Sequence, residues 1–148
     1  MSSDAMSFQD YLKQHIPLST AMQVRVETCD AETMVLSAPL AANHNDKGTG
    51  FAGSIASLAS LAGWGLCMRW AEREVGTPLV AIAHADIQYR KPVTGNFRAR
   101  ATLPGDDALR AFHRRFAEKG RARLTVRIEV SDDQGLAAEQ VAEYAVWR

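Results

Sequence analysis

Cysteine is scarce in this chain: Cys29 and Cys67 are the only two among 148 residues. They are too few and too far apart for a disulfide framework or a zinc site. Cys67 falls inside an apolar helical run, so reduced thiols and a cytoplasmic location are expected. An excess of charge is also lacking, since Lys+Arg and Asp+Glu both number 17 and the formal net charge is zero. No global field then favours nucleic acid or membrane, and any electrostatic partner must be read from local clusters. No apolar run reaches membrane-spanning length without a charge. The opening MSSDAMSFQDYLKQHIP has no basic stretch followed by an apolar one, as a secretory signal would. No His, Cys and carboxylate set has ligand spacing, so neither a metal nor an organic cofactor is expected.

Apolar side chains are plentiful. Hydrophobic residues make up 47% of the chain, enough for one sizeable core in a length too short for two ordinary domains, so one domain over residues 1–148 is expected. Phe8, Tyr11, Leu12, His15 and Ile16 have helical spacing, with Ser7 as a candidate N-cap and Pro17 as the stop. Alternation predicts strands over 22–29 and 33–38, with a turn at 30–32. A Gly/Asn/Asp-rich loop at 41–50 runs into FAGSIASLASLAGWGLCMRWAEREVG. This stretch predicts a long central helix, uncharged from Gly53 to Gly65 and therefore buried nearly all round. Gly63 and Gly65 would each cost about 1 kcal/mol there unless a strand crosses closely. Further strands are predicted over 79–89, 96–103, 121–131 and 136–147, with a turn at 132–135. A helix over 107–119 closes on Gly120. Antiparallel strands around one apolar helix make an α+β fold in which the sheet wraps the helix, the hotdog arrangement.

The chemistry centres on NHNDKGTGFAGS, between the second strand and the central helix. The first amides of a buried helix lack internal partners and carry positive potential, so they can receive a carbonyl oxygen that gains charge. Gly53 and Ser54 would supply these amides, and Gly48, Gly50 and Gly53 would let the backbone approach a ligand. A loop of this composition could equally do no more than cap the helix.

NHNDKGTGFAGSIASLASLAGWGL resembles the signature of the YiiD C-terminal domain and of the stand-alone proteins of that type, and the likeness extends through YRKPVTG to YAVWR. The group is associated with thioesterases and with malonyl-ACP decarboxylation by the MadA/MadB proteins. The resemblance implies an enzyme acting on an acyl thioester of acyl carrier protein (ACP) or coenzyme A. It also implies a homodimer or dimer of dimers.

Many hotdog thioesterases carry an acid two turns into the central helix to drive hydrolysis, whereas this helix has none before Glu72. Asp46, in the loop, is the acid left for a thioesterase. Decarboxylation instead leaves an enolate and calls for donors around the thioester oxygen. Asn45 is the natural donor beside the Gly53 amide. Thr49 or Ser54 would orient the malonyl carboxylate, with Asn43, Gly50, Phe51 and Ala52 lining the site and Phe51 keeping it apolar. His44 is a possible general acid. Asp86 is a second possible base, read with His84 as more structural or interfacial than catalytic, and His113 reads as surface. Arg110, Arg114 and Arg115, within a cluster reaching Arg123, could dock an acidic carrier protein or coenzyme A phosphates, with Arg90 and Lys91 as weaker candidates. The favoured reading is malonyl-ACP decarboxylation to acetyl-ACP and CO2, which supplies the start of fatty acid synthesis. An Asp46-dependent thioesterase and a non-catalytic acyl-ACP binding protein are the alternatives.

Overall fold

Alternation along one strand sets the architecture. In β5 (Arg121–Asp132), Ala122, Leu124, Val126, Ile128 and Val130 are buried while the arginines, Thr125 and Glu129 between them face out. One apolar face must then be covered. A computed structural model of the chain describes residues 2–76 and 78–148. It pairs β5 antiparallel with β6 (Gly135–Trp147) and β4 (Phe97–Thr102). The sheet continues through β2 (Thr33–Ala38) to β1 (Arg25–Cys29) on one side and to β3 (Leu79–Tyr89) on the other. The order is β1-β2-β4-β5-β6-β3, all neighbours antiparallel.

The first two helices are α1 (Ser3–His15) and α2 (Pro17–Ala21). The long α3 (Ala52–Val75) lies across the inward face, and α4 (Asp106–Lys119) connects β4 to β5. This is the expected α+β hotdog arrangement. Leu58, Ala59, Ala62, Leu66 and Cys67 of α3 are fully buried against Met34, Leu36, Ala99, Leu124 and Val126. Close packing accounts for both helix glycines. A Cβ on Gly63 would come within 2.2 Å of the Tyr144 hydroxyl on β6, and one on Gly65 within 2.5 Å of Phe8 on α1.

Three local expectations are revised. First, α1 starts at Ser3, because the hydroxyl of Ser2 accepts from the Ala5 amide and acts as the cap in place of Ser7. Second, residues 22–24 are not strand. Pro17 sits at the first position of α2, where its missing N–H is no loss, and Gln23 turns the chain with φ 57°. Met22 and Val24 are nonetheless buried. Third, α3 is not covered all round: Ser57, Ser60, Leu61 and Trp64 line an open apolar groove of about 430 Å³ with Leu18, Val80 and Ile82. Among the described residues, no helix is long and apolar enough to cross a membrane.

Candidate active site

The loop after β2 forms a tight, internally bonded knot at the start of α3. Residues 40–42 make one 3-10 turn. His44 then pairs with Gly50 across an isolated bridge, Asn45 N–H donates to Thr49 O at 2.7 Å, and Gly48 takes the left-handed conformation at φ 78° that closes the turn. Gly50 donates to Val93 O at 2.8 Å, and a Cβ there would meet the Val93 side chain at the same separation. Phe51 N–H donates to Asn43 O, and α3 begins at the next residue with no side-chain cap on its first amides. Ala52, Gly53 and Ser54 occupy the positions whose N–H groups have no intrahelical acceptor, beside the 54%-exposed ring of Phe51.

Asn45 is held more firmly than its loop position suggested. Its Oδ1 accepts from the amides of Lys47 at 2.9 Å and Thr49 at 3.1 Å, which fixes which end of the side chain is oxygen. One Nδ2 hydrogen goes to Thr49 Oγ1 at 2.9 Å. The contact of Nδ2 with Gly50 O, at 3.4 Å, is long and weak. The half-buried amide therefore retains one loosely engaged donor beside the helix N-terminus. Thr49, also half-buried, spends its hydroxyl on Asn45.

The other predicted residues divide. Asn43 is buried and donates from Nδ2 to Met22 O and Pro39 O, so it pins the loop to the body of the fold. His44 is exposed, with Nδ1 2.9 Å from Asn45 O. The Asp46 side chain is 82% exposed and pairs with Lys47 at 2.9 Å. Ser54 is buried in the first turn of α3. Arg90 and Lys91 do lie at the site end of the sheet, but each holds an acid: Glu139 at 3.0 Å and Asp132 at 3.3 Å. Arg110, Arg114 and Arg115 lie elsewhere. Their helix packs through Phe112 on Trp70 and through His113 on Glu74, about 27 Å or more along α3 from Ala52 at 1.5 Å per residue. Asp86 is exposed and accepts from Gln88. Both sit on the sheet face away from α3, so Asp86 cannot serve as a base within this protomer.

Two residues at the site went unnoticed in sequence. Tyr89, ending β3, donates its hydroxyl to Ala52 O at 3.2 Å and so docks the strand on the first residue of α3. Asp132, read only as part of a turn, is buried and accepts from the amides of Thr94 (3.0 Å) and Gln134 (2.8 Å) as well as from Lys91. Burial pushes its carboxyl up, but these donors outweigh burial and hold it below the usual carboxylate range. Asp132 thereby anchors the segment whose Val93 carbonyl receives Gly50. The signal for Tyr89 was its place at the head of YRKPVTG; DDQG carried none beyond the turn.

Over residues 5–148 the chain matches the family model described as "Putative thioesterase (yiiD_Cterm)". A solved protein of unknown function from Chlorobaculum tepidum is 27% identical, with a TM-score of 0.90 over 97% of this chain and 94% of its own. A "putative thioesterase" from Shewanella oneidensis is 25% identical, with a TM-score of 0.87 over the whole of both chains. A thioesterase from Haemophilus influenzae shares the fold alone, at 13% identity and a TM-score of 0.77 over 99% and 92%. With this match over nearly its entire length, the chain belongs to the YiiD C-terminal thioesterase-type family of hotdog proteins.

Proposed function

We propose that the protein decarboxylates malonyl-ACP, giving acetyl-ACP and CO2 for the start of fatty acid synthesis. One observation carries this reading: the start of α3 gathers hydrogen-bond donors without a carboxylate aimed among them. Asp46, the acid of the loop, points to solvent and pairs with Lys47, and the buried Asp132 is engaged by Thr94, Gln134 and Lys91. The first acid of α3, Glu72, is about 30 Å along the helix from Ala52. Hydrolysis needs a group that activates water, whereas decarboxylation needs only that the developing enolate be stabilised.

In the proposed reaction the thioester oxygen sits between the loosely held Nδ2 hydrogen of Asn45 and the free amides at Gly53 and Ser54. The bond between the methylene and the carboxylate breaks, and its electron pair becomes the enolate. CO2 leaves, and the methylene carbon takes a proton from water. Phe51 and the apolar start of α3 raise the energy of the carboxylate relative to neutral CO2. Hydrolysis of an acyl thioester, with Asp46 reoriented to activate water, is the second reading, favoured by the thioesterase descriptions of the family and its relatives.

A second copy of the chain is part of this proposal. β3 is an edge strand of eleven residues, and Leu79, Ile82 and Tyr89 expose apolar surface along it. Such an edge invites pairing, and the groove beside it leaves a flank of α3 uncovered. A homodimer, or a pair of dimers, would cover both.

The test is incubation of the purified protein with malonyl-ACP and, separately, malonyl-CoA, with products identified by mass spectrometry. Acetyl thioester without free thiol is the expected result. Free ACP or CoA thiol together with malonate would replace decarboxylation by hydrolysis.

A further inference from the structure

Gln140 is out of keeping with its surroundings. It lies on β6 between Ala138 and Ala142, with Ile87 of β3 and Ile128 of β5 as its cross-strand partners. Strand alternation puts it on the same face as Tyr144, which donates to Ser60 O of α3 at 2.8 Å. It is 2% exposed, and its buried Nε2 has no hydrogen-bond partner. A leucine would fill a similar volume without stranding a donor, so this amide is held at a loss of stability in the free protein.

Two fixed contacts locate it. Tyr89, the partner of Ala138, reaches Ala52 O, and Tyr144, four residues beyond Gln140, reaches Ser60 O. Gln140 therefore faces the first turns of α3, below the free amides that receive the thioester oxygen. The other inward positions of β3 and β6 are apolar or tyrosine.

We propose that the side-chain amide of Gln140 recognises the free carboxylate of a carboxyacyl thioester lying between β6 and the start of α3. This rests on the decarboxylase reading and deepens it, because the carboxylate of a malonyl group is only two bonds from the thioester carbonyl. A neutral N–H orients that carboxylate without a full countercharge, whereas lysine or arginine would stabilise it and oppose the loss of CO2. The same donor disfavours a saturated chain, which would cover it and leave it unpaired.

The experiment uses stable thioethers of holo-ACP, S-(2-carboxyethyl) and S-propyl, titrated calorimetrically into the wild type and Gln140→Leu. The wild type should bind the carboxyethyl form about 10-fold or more tightly than the propyl form. Gln140→Leu should abolish that preference while raising Tm, as removal of a stranded donor would. A wild type with no preference, including one that binds neither probe, overturns the proposal. So does a leucine variant that keeps the preference or melts at a lower temperature. Neither thioether can be decarboxylated or hydrolysed, so this result is independent of the products formed from malonyl-ACP. Acetyl-ACP formation with no carboxylate preference would remove the role of Gln140 alone. A Gln140-dependent preference without acetyl-ACP would remove decarboxylation alone.

Discussion

The Asn45 side chain combines two demands, since Oδ1 is tied by two backbone amides while Nδ2 keeps a donor in reserve. Preorganisation of this kind stabilises a developing oxyanion without reorganisation during reaction. Asn45→Ala is therefore expected to lower turnover of malonyl-ACP by about 10²-fold or more, the scale of one lost oxyanion donor. Asp46→Ala should change it by less than about 10-fold; kcat and KM for both variants check this, and the reverse order would transfer the chemistry to Asp46. At Asp132 the prediction concerns stability. Its depressed folded-state pKa means that its contribution is fully present above the unfolded carboxylate range and is lost as pH falls through the folded value. Asp132→Ala should lose about 2–3 kcal/mol at pH 7, because it strands the Thr94 and Gln134 amides and unpairs Lys91. Urea melts at several pH values should also show a flatter acid limb for the variant than for the wild type.

At the scale of elements, α3 is core along its middle and carries the proposed site at its start. Its middle packs against strands so closely that glycine is required opposite Tyr144. Gly63→Ala places a methyl group where the tyrosine hydroxyl lies, and overpacking of this kind costs about 1–3 kcal/mol. Denaturant unfolding should show that loss, outweighing the roughly 1 kcal/mol gained in helix propensity. Loop and strand contacts position the N-terminus of α3: Asn43 below, Gly50 on Val93, and Tyr89 of β3 on Ala52. Three chain segments thus meet at one helix end. Function at that end should depend on residues such as Asn43 that need never touch substrate.

At the scale of the molecule, the six-stranded sheet has two edges, a short one at β1 and the long one at β3. Its apolar edge and the adjacent groove leave Ile82 43% exposed. Ile82→Arg should convert a dimer into a monomer and reduce turnover, with light scattering coupled to size exclusion as the check. A wild type that is monomeric at micromolar concentration would remove the partner subunit from the proposal. The basic surface of α4 is remote from Asn45 within one protomer. Docking of a carrier protein there therefore requires a partner subunit to bring a second helix N-terminus within reach, whereas Arg90 and Lys91 already lie at the site end.

Hydrophobic periodicity was enough to determine most of the elements, because the strand period of two and the unbroken apolar run of α3 reflect which faces must leave water. Composition marked the loop carrying Asn45, and the cost of glycine in a helix interior marked the need for close packing at Gly63. Periodicity missed α2, because a proline that ends one helix can also begin another. Only the tertiary structure decided that Asp46 faces solvent, that Asp86 lies on the far side of the sheet, and that the α4 arginines sit at the other end of α3. It alone docked Tyr89 on the first residue of α3, set Asp132 beneath the segment that receives Gly50, and buried Gln140 on the inward face of β6. Alternation tells which face a side chain takes, but register and the crossing of helix over sheet set what it meets there, and these arise from contacts between residues far apart in the chain.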